Sequence, residues 1–184
     1  MRCLVVLYCI AAPAAVPVAA QQPVPPADSV AADSAAPPAE PTPEQLRFLD
    51  GLRTASRGVA QLKDGLGRVT RAQAKGDSAS QRRAGRFLAG LCGSARGFLA
   101  RGRPRMLPTA YDDTTRIIAR RLTTQIDSLI AYMGTCELTG GKTPVPVSTD
   151  LGKRMKSYDT ALNNFRLAVG LPVRADSSPT SRRQ

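Results

Sequence analysis

Apolar residues recur along this chain at alternating steps of four and three. Phe48, Leu52, Ala55, Val59, Leu62, Leu66 and Val69 form the first such series, the seam of an amphipathic helix that buries one stripe. Its start is marked by Thr42-Pro43-Glu44-Gln45. Thr42 suits the N-cap, Pro43 the first helical position, and Gln45 completes a capping box. Gly51, Gly58 and Gly65 flank the seam every seven residues. Each costs about 1 kcal/mol relative to Ala in a helix. Close approach of a neighbouring helix is the expected compensation, with a shallow binding groove as the rival reading.

Gly76-Asp77-Ser78 closes this helix and caps a second, with Ala84, Leu88, Leu91, Ala95 and Phe98 in its seam, widened by Phe87, Cys92 and Leu99. Gly102 and Pro104 stop it. A third starts near Asp112-Asp113-Thr114 and turns Ile118, Leu122, Ile126, Leu129, Met133 and Cys136 inward. The paired aspartates read as caps, because acids in a first turn complement the helix dipole. After Gly140-Gly141, Pro144 and Pro146, a fourth helix is expected from around Ser148-Thr149-Asp150. It carries Leu151, Met155, Tyr158, Leu162, Phe165 and Val169, and Gly170-Leu171-Pro172 ends it. No stretch has the period-two alternation of a half-buried strand. The pattern predicts an all-α fold, an antiparallel up-down-up-down four-helix bundle with short connections.

The segment before the bundle changes this picture from a bare domain to an exported one. Met1-Arg2, an apolar run from Cys3 to Ala12, Pro13, Pro17 and the small residues Val18-Ala19-Ala20 have the layout of a cleaved signal peptide. Nine of the 15 prolines fall at or before Pro43. The stretch 21–42 therefore reads as a disordered Pro/Ala-rich linker with too little apolar surface to fold. The expected organisation is signal peptide 1–20, linker 21–42, bundle 43–170 and flexible tail 171–184. The expected location is outside the cytoplasm, in the periplasm or the extracellular space.

Removing the signal removes Cys3 and Cys9 and leaves Cys92 and Cys136, both on apolar helix faces. Two such cysteines in an exported chain predict one structural disulfide, with two buried free thiols as the alternative. A bridge also constrains the path between the second and third helices. A tight turn there would leave the two cysteines on the order of 20 Å apart at 1.5 Å per residue. The connection from Gly102 to Tyr111 should therefore climb beyond the end of the second helix before the third descends.

The chain has 26 Lys and Arg against 14 Asp and Glu, a net charge of +12, and 25 against 10 from Arg47 onward. Such a field favours anionic partners. Arg outnumbers Lys by 21 to 5, and Ala, Gly and Pro are abundant. That is also the signature of a GC-rich genome and an ordinary solvated surface. The densest run is Arg96, Arg101, Arg103 and Arg105, the candidate anion-binding residues. Further clusters are Arg82, Arg83 and Arg86, and Arg116, Arg120 and Arg121.

The chain contains no His, which excludes His-ligated metals, Ser-His-Asp triads and Cys-His dyads. The methionines and aromatics fall at core spacing. No cofactor, metal or catalytic residue is expected, and the protein reads as a non-enzyme. Nucleic acid is an unsuitable partner, because export separates the two and aromatic residues are not interleaved with the basic ones. Anionic lipids or envelope polymers fit the charge. The segment 42–45 resembles part of the Leu-Thr-x-x-Gln signature of small helical periplasmic stress chaperones. Pro41 stands where that signature has Leu, and the capping box accounts for the match. No family is assigned on it, but it points to the alternative function, a holder of unfolded exported proteins. The bundle can close within one chain or across a dimer.

Overall fold

The structure, a computed structural model, describes residues 40–173; the signal peptide, nearly all of the linker and most of the tail lie outside the described residues. Four long helices account for most of the described chain: α1 (Pro43–Ala74), α2 (Ser78–Gly102), α3 (Asp113–Thr139) and α4 (Pro144–Ala168). No strand occurs among the described residues. The helices share one core that draws on all four, centred on Leu62, Leu88, Leu122, Ile126, Leu129 and Leu151.

The caps follow the local chemistry. Thr42 accepts from the Gln45 amide and Gln45 returns a bond to the Thr42 amide, the complete capping box. Gly76 takes φ +71°, a conformation glycine reaches without steric penalty. Asp77 then accepts from the amides of Ala79 and Ser80. Asp112 caps α3 through the Thr115 amide. The chain leaves α4 through a Schellman turn. Leu171 N–H donates to Arg166 C=O, Gly170 N–H donates to Leu167 C=O, and Gly170 has φ +68°.

Two expectations need correction. Helix α4 begins at Pro144, four residues before Ser148. Pro144 and Pro146 both fall in the first turn, where amides lack intrahelical acceptors anyway and a proline removes nothing. The stripe of α2 is also displaced. Gly85, Leu88, Cys92, Ala95, Leu99 and Gly102 are buried, whereas Leu91 and Phe98 are only half-buried and Phe87 is 42% exposed.

The glycines explain the displacement. A Cβ on Gly58 would sit 2.8 Å from the Ala95 carbonyl oxygen, one on Gly51 2.7 Å from that of Gly102, and one on Gly65 2.7 Å from Leu88 Cδ1. Glycines seven residues apart on α1 thus meet Gly102, Ala95 and Leu88, themselves seven apart on α2. The two backbones approach closely, which supplies the compensation the glycines require.

Cys92 and Cys136 are joined by a disulfide, with their Cα atoms 6.0 Å apart. The connection that makes this possible climbs as the spacing demands. Arg103, just past the end of α2, pairs with Asp127, well inside a helix that starts at Asp113. The intervening 14 residues of α3 correspond to about 21 Å. Two 3₁₀ turns, Arg103–Arg105 and Pro108–Ala110, cover that distance, and Met106 between them is fully buried. Tyr111 closes the end of the core in a ring trio with Phe48 and Phe165, centroids 5.0 to 5.4 Å apart. At the opposite end Gly85 lies against Gly140 and Pro144. The first turns of α2 and the last of α1 therefore project past the α3–α4 turn by about 10 Å.

Candidate anion-binding surface

The arginine run that is densest in sequence is half compensated in space. Arg103 forms a bidentate pair with Asp127, Nε to Oδ1 at 2.7 Å and Nη2 to Oδ2 at 2.9 Å. Arg105 pairs with Asp50. Arg101 lies over the ring of Phe98, 4.9 Å from its centroid. Arg96 is exposed and forms no ion pair among the described residues. None of these four lines the groove between α1 and α2 or the one between α3 and α4. In the third cluster Arg116 pairs with Asp113, while Arg120 and Arg121 are exposed.

The projecting α1–α2 hairpin brings cations together instead. Arg68, Arg71 and Lys75 from the end of α1 and Arg83 from the second turn of α2 line a groove of about 450 Å³. Ser80 and Phe87 complete its walls, and Ala72 and Ala84 keep it open by their small size. Sequence reasoning singled out Arg83 but not Arg68, Arg71 or Lys75. The available signal was a run of basic residues on both sides of the Gly76 turn, which folding the hairpin sets face to face.

Both nearby carboxylates are already engaged. Asp64 accepts from Arg68 Nε at 3.0 Å. Asp77 is turned back onto the start of α2, where hydrogen bonds from the Ser80 side chain and from the Ser80 and Ala79 amides, with a smaller contribution from the Arg82 charge, hold its carboxyl below the usual value. Arg71, Lys75 and Arg83 have no acidic partner among the described residues. The negative end of the α1 dipole accounts for Arg71 and Lys75. It does not account for Arg82 and Arg83, which follow a first turn of α2 that holds no acid. The stem of Arg86 packs over Gly141 instead of entering the groove.

A larger groove of about 630 Å³ between α3 and α4 has Arg121 as its one cation, beside Gln125, Asn164 and apolar residues such as Ile118 and Leu167. Leu46, Leu107, Ile117, Leu167 and Leu171 are exposed apolar side chains, as are Phe87, Leu138 and Val145 on other parts of the helices. The Tyr111 hydroxyl is buried without a hydrogen-bond partner among the described residues, and desolvation pushes its pKa up to about 12. No group of three or more His, Cys, Asp or Glu side chains suited to a metal occurs among the described residues. No helix among them is long and apolar enough to cross a membrane. No family model, curated protein or solved structure matches this chain.

Proposed function

We propose that this is an exported, non-enzymatic envelope protein whose helical bundle presents a basic surface to anionic lipids or envelope polymers. The observation that carries the reading is the convergence of Arg68, Arg71, Lys75 and Arg83 on one groove, with its nearby carboxylates turned elsewhere. Cations gathered in a concave surface raise the local concentration of anions beyond what scattered charges achieve. The disulfide fits an oxidising compartment and so agrees with the signal-like N-terminus.

The helices close in this proposal as an antiparallel up-down-up-down bundle. The supporting pairs run in opposite numerical senses on neighbouring helices. Gly51 meets Gly102 and Gly58 meets Ala95; Cys92 meets Cys136 and Arg103 meets Asp127. Tyr132 of α3 donates to Val147 C=O of α4 and Arg154 of α4 donates to Ser128 of α3, while Phe48 and Ser56 of α1 meet Phe165 and Tyr158 of α4.

Sedimentation with phosphatidylcholine vesicles containing phosphatidylglycerol tests the surface. Binding should weaken steeply as salt rises, because exposed charges are screened beyond about 8 Å at physiological ionic strength. Replacing Arg71, Lys75 and Arg83 with Gln should remove most of the binding. Replacing Arg101, Arg103 and Arg105, an equal change in charge, should leave most of it. Equal losses would mean that affinity follows total charge, and absence of binding at low salt would refute the reading.

The chaperone-like alternative draws on a different observation, the exposed apolar side chains Leu46, Leu107, Ile117, Leu138 and Leu167. Salt-insensitive suppression of aggregation of a denatured client would favour it.

A further inference from the structure

We propose that the hairpin groove recognises a phosphate monoester, with Arg68 supplying a preoriented two-pronged contact. The inference rests on the basic-surface reading and names the ligand chemistry of that same surface. The Arg68 guanidinium is fixed from two directions. Phe87 lies under its plane, 4.2 Å from carbon to ring centroid, and Asp64 takes its Nε. Both Nη groups are left without a hydrogen bond or ion pair among the described residues. A guanidinium held in this way offers its terminal edge, whose two parallel N–H bonds match two oxygens of one phosphate.

Aromatic support and a carboxylate on Nε also lower the entropy lost when the side chain binds. Arg71, Lys75 and Arg83 surround this fork as further cations. Net charge explains attraction to any anion. The fork and its surrounding cations favour a terminal phosphate, with three exposed oxygens and a charge of about −1.5 to −2 at neutral pH. A phosphodiester offers only two unesterified oxygens that share one charge. Phe87, 42% exposed in a strongly basic stretch, has a role here as the platform under Arg68.

The test uses the full mature chain and vesicles of phosphatidylcholine doped with phosphatidic acid or phosphatidylglycerol, matched in surface potential. The expected result is roughly tenfold tighter binding to phosphatidic acid, the difference that charge-assisted bidentate pairing supplies. Arg68→Lys keeps the charge and the Asp64 pair but removes the fork. It should abolish that preference and leave phosphatidylglycerol binding nearly unchanged, and Phe87→Leu should reduce the preference in the same direction.

Displacement by inorganic phosphate at millimolar concentration would assign recognition to the phosphate group alone. Displacement only by short-chain phosphatidic acid would assign it to the lipid headgroup. Equal binding to both vesicle types would overturn the phosphomonoester inference and leave the basic-surface reading standing. Loss of binding to both at low salt would overturn the two together. A preference surviving in Arg68→Lys would overturn the fork.

Discussion

Asp77 and Asp112 do the same work at the starts of α2 and α3. Each carboxylate accepts backbone amides that have no helical acceptor of their own. Hydrogen bonds, to Ser80 and Ala79 for Asp77 and chiefly to Thr115 for Asp112, hold both below the ordinary value of 3.8. Because the folded pKa is depressed, the stabilisation is fully present above the unfolded value and is lost as pH falls through the folded one. The caps should therefore contribute fully and constantly to the melting temperature between neutrality and about pH 5, and their contribution should decline once the pH drops below about 4. Asn still accepts the amide bond and does not titrate in this range. The Asp77→Asn, Asp112→Asn double variant should show a shallower acid limb, and an unchanged limb would assign acid loss to other carboxylates. Near neutrality the variant should be the less stable of the two, and the two curves should converge as the pH falls.

Helix pairing is where the glycines become quantitative. Gly58 faces backbone, so Gly58→Ala must push α1 and α2 apart, and denaturant unfolding should report a loss of about 1–3 kcal/mol. Gly65 faces the ends of the Leu88 and Leu91 side chains rather than backbone, and Gly65→Ala should cost less. Gly90 has nothing within 4 Å of an added Cβ. There Ala should stabilise by up to about 1 kcal/mol from propensity alone. If Gly58→Ala behaved like Gly90→Ala, close packing of the two backbones would be refuted. The same interface shows where the sequence was and was not readable. The α1 seam was legible because its large apolar side chains and its capping box agree. On α2 the large residues Leu91 and Phe98 drew attention away from Gly85 and Gly102, since a glycine counts as core only when a neighbouring backbone closes on it. The start of α4 was hidden by prolines, which break helices in the interior but fit a first turn. The groove was hidden because a charge's worth depends on partners distant in sequence. Asp127 lies 24 residues from Arg103, and Asp50 lies 55 from Arg105.

At the scale of the molecule one covalent bond ties α2 to α3 and encloses the climbing connection. Both cysteines are fully buried, and the loop between them spans 44 residues. The chain-entropy treatment gives about 4 kcal/mol for closing such a loop in the unfolded state. A Cys92→Ala, Cys136→Ala double variant should lose about that much in denaturant unfolding. Domains of this size hold roughly 5–15 kcal/mol in all, so the variant should stand near the edge of folding. A loss below about 1 kcal/mol would mean that the bridge contributes little to native stability.

The stretch between α2 and α3 inverts the usual division of labour between helices and loops. Connecting segments normally run over the surface, and there a chain is most readily nicked or lengthened. Here the segment stands where α2 has already ended, with Met106 and Tyr111 acting as its share of the core. Proteases and inserted residues should find their openings at the Gly76 and Gly141 turns, both at the other end of the bundle. The longest link between helices behaves as a wall panel, and the shortest as the seams.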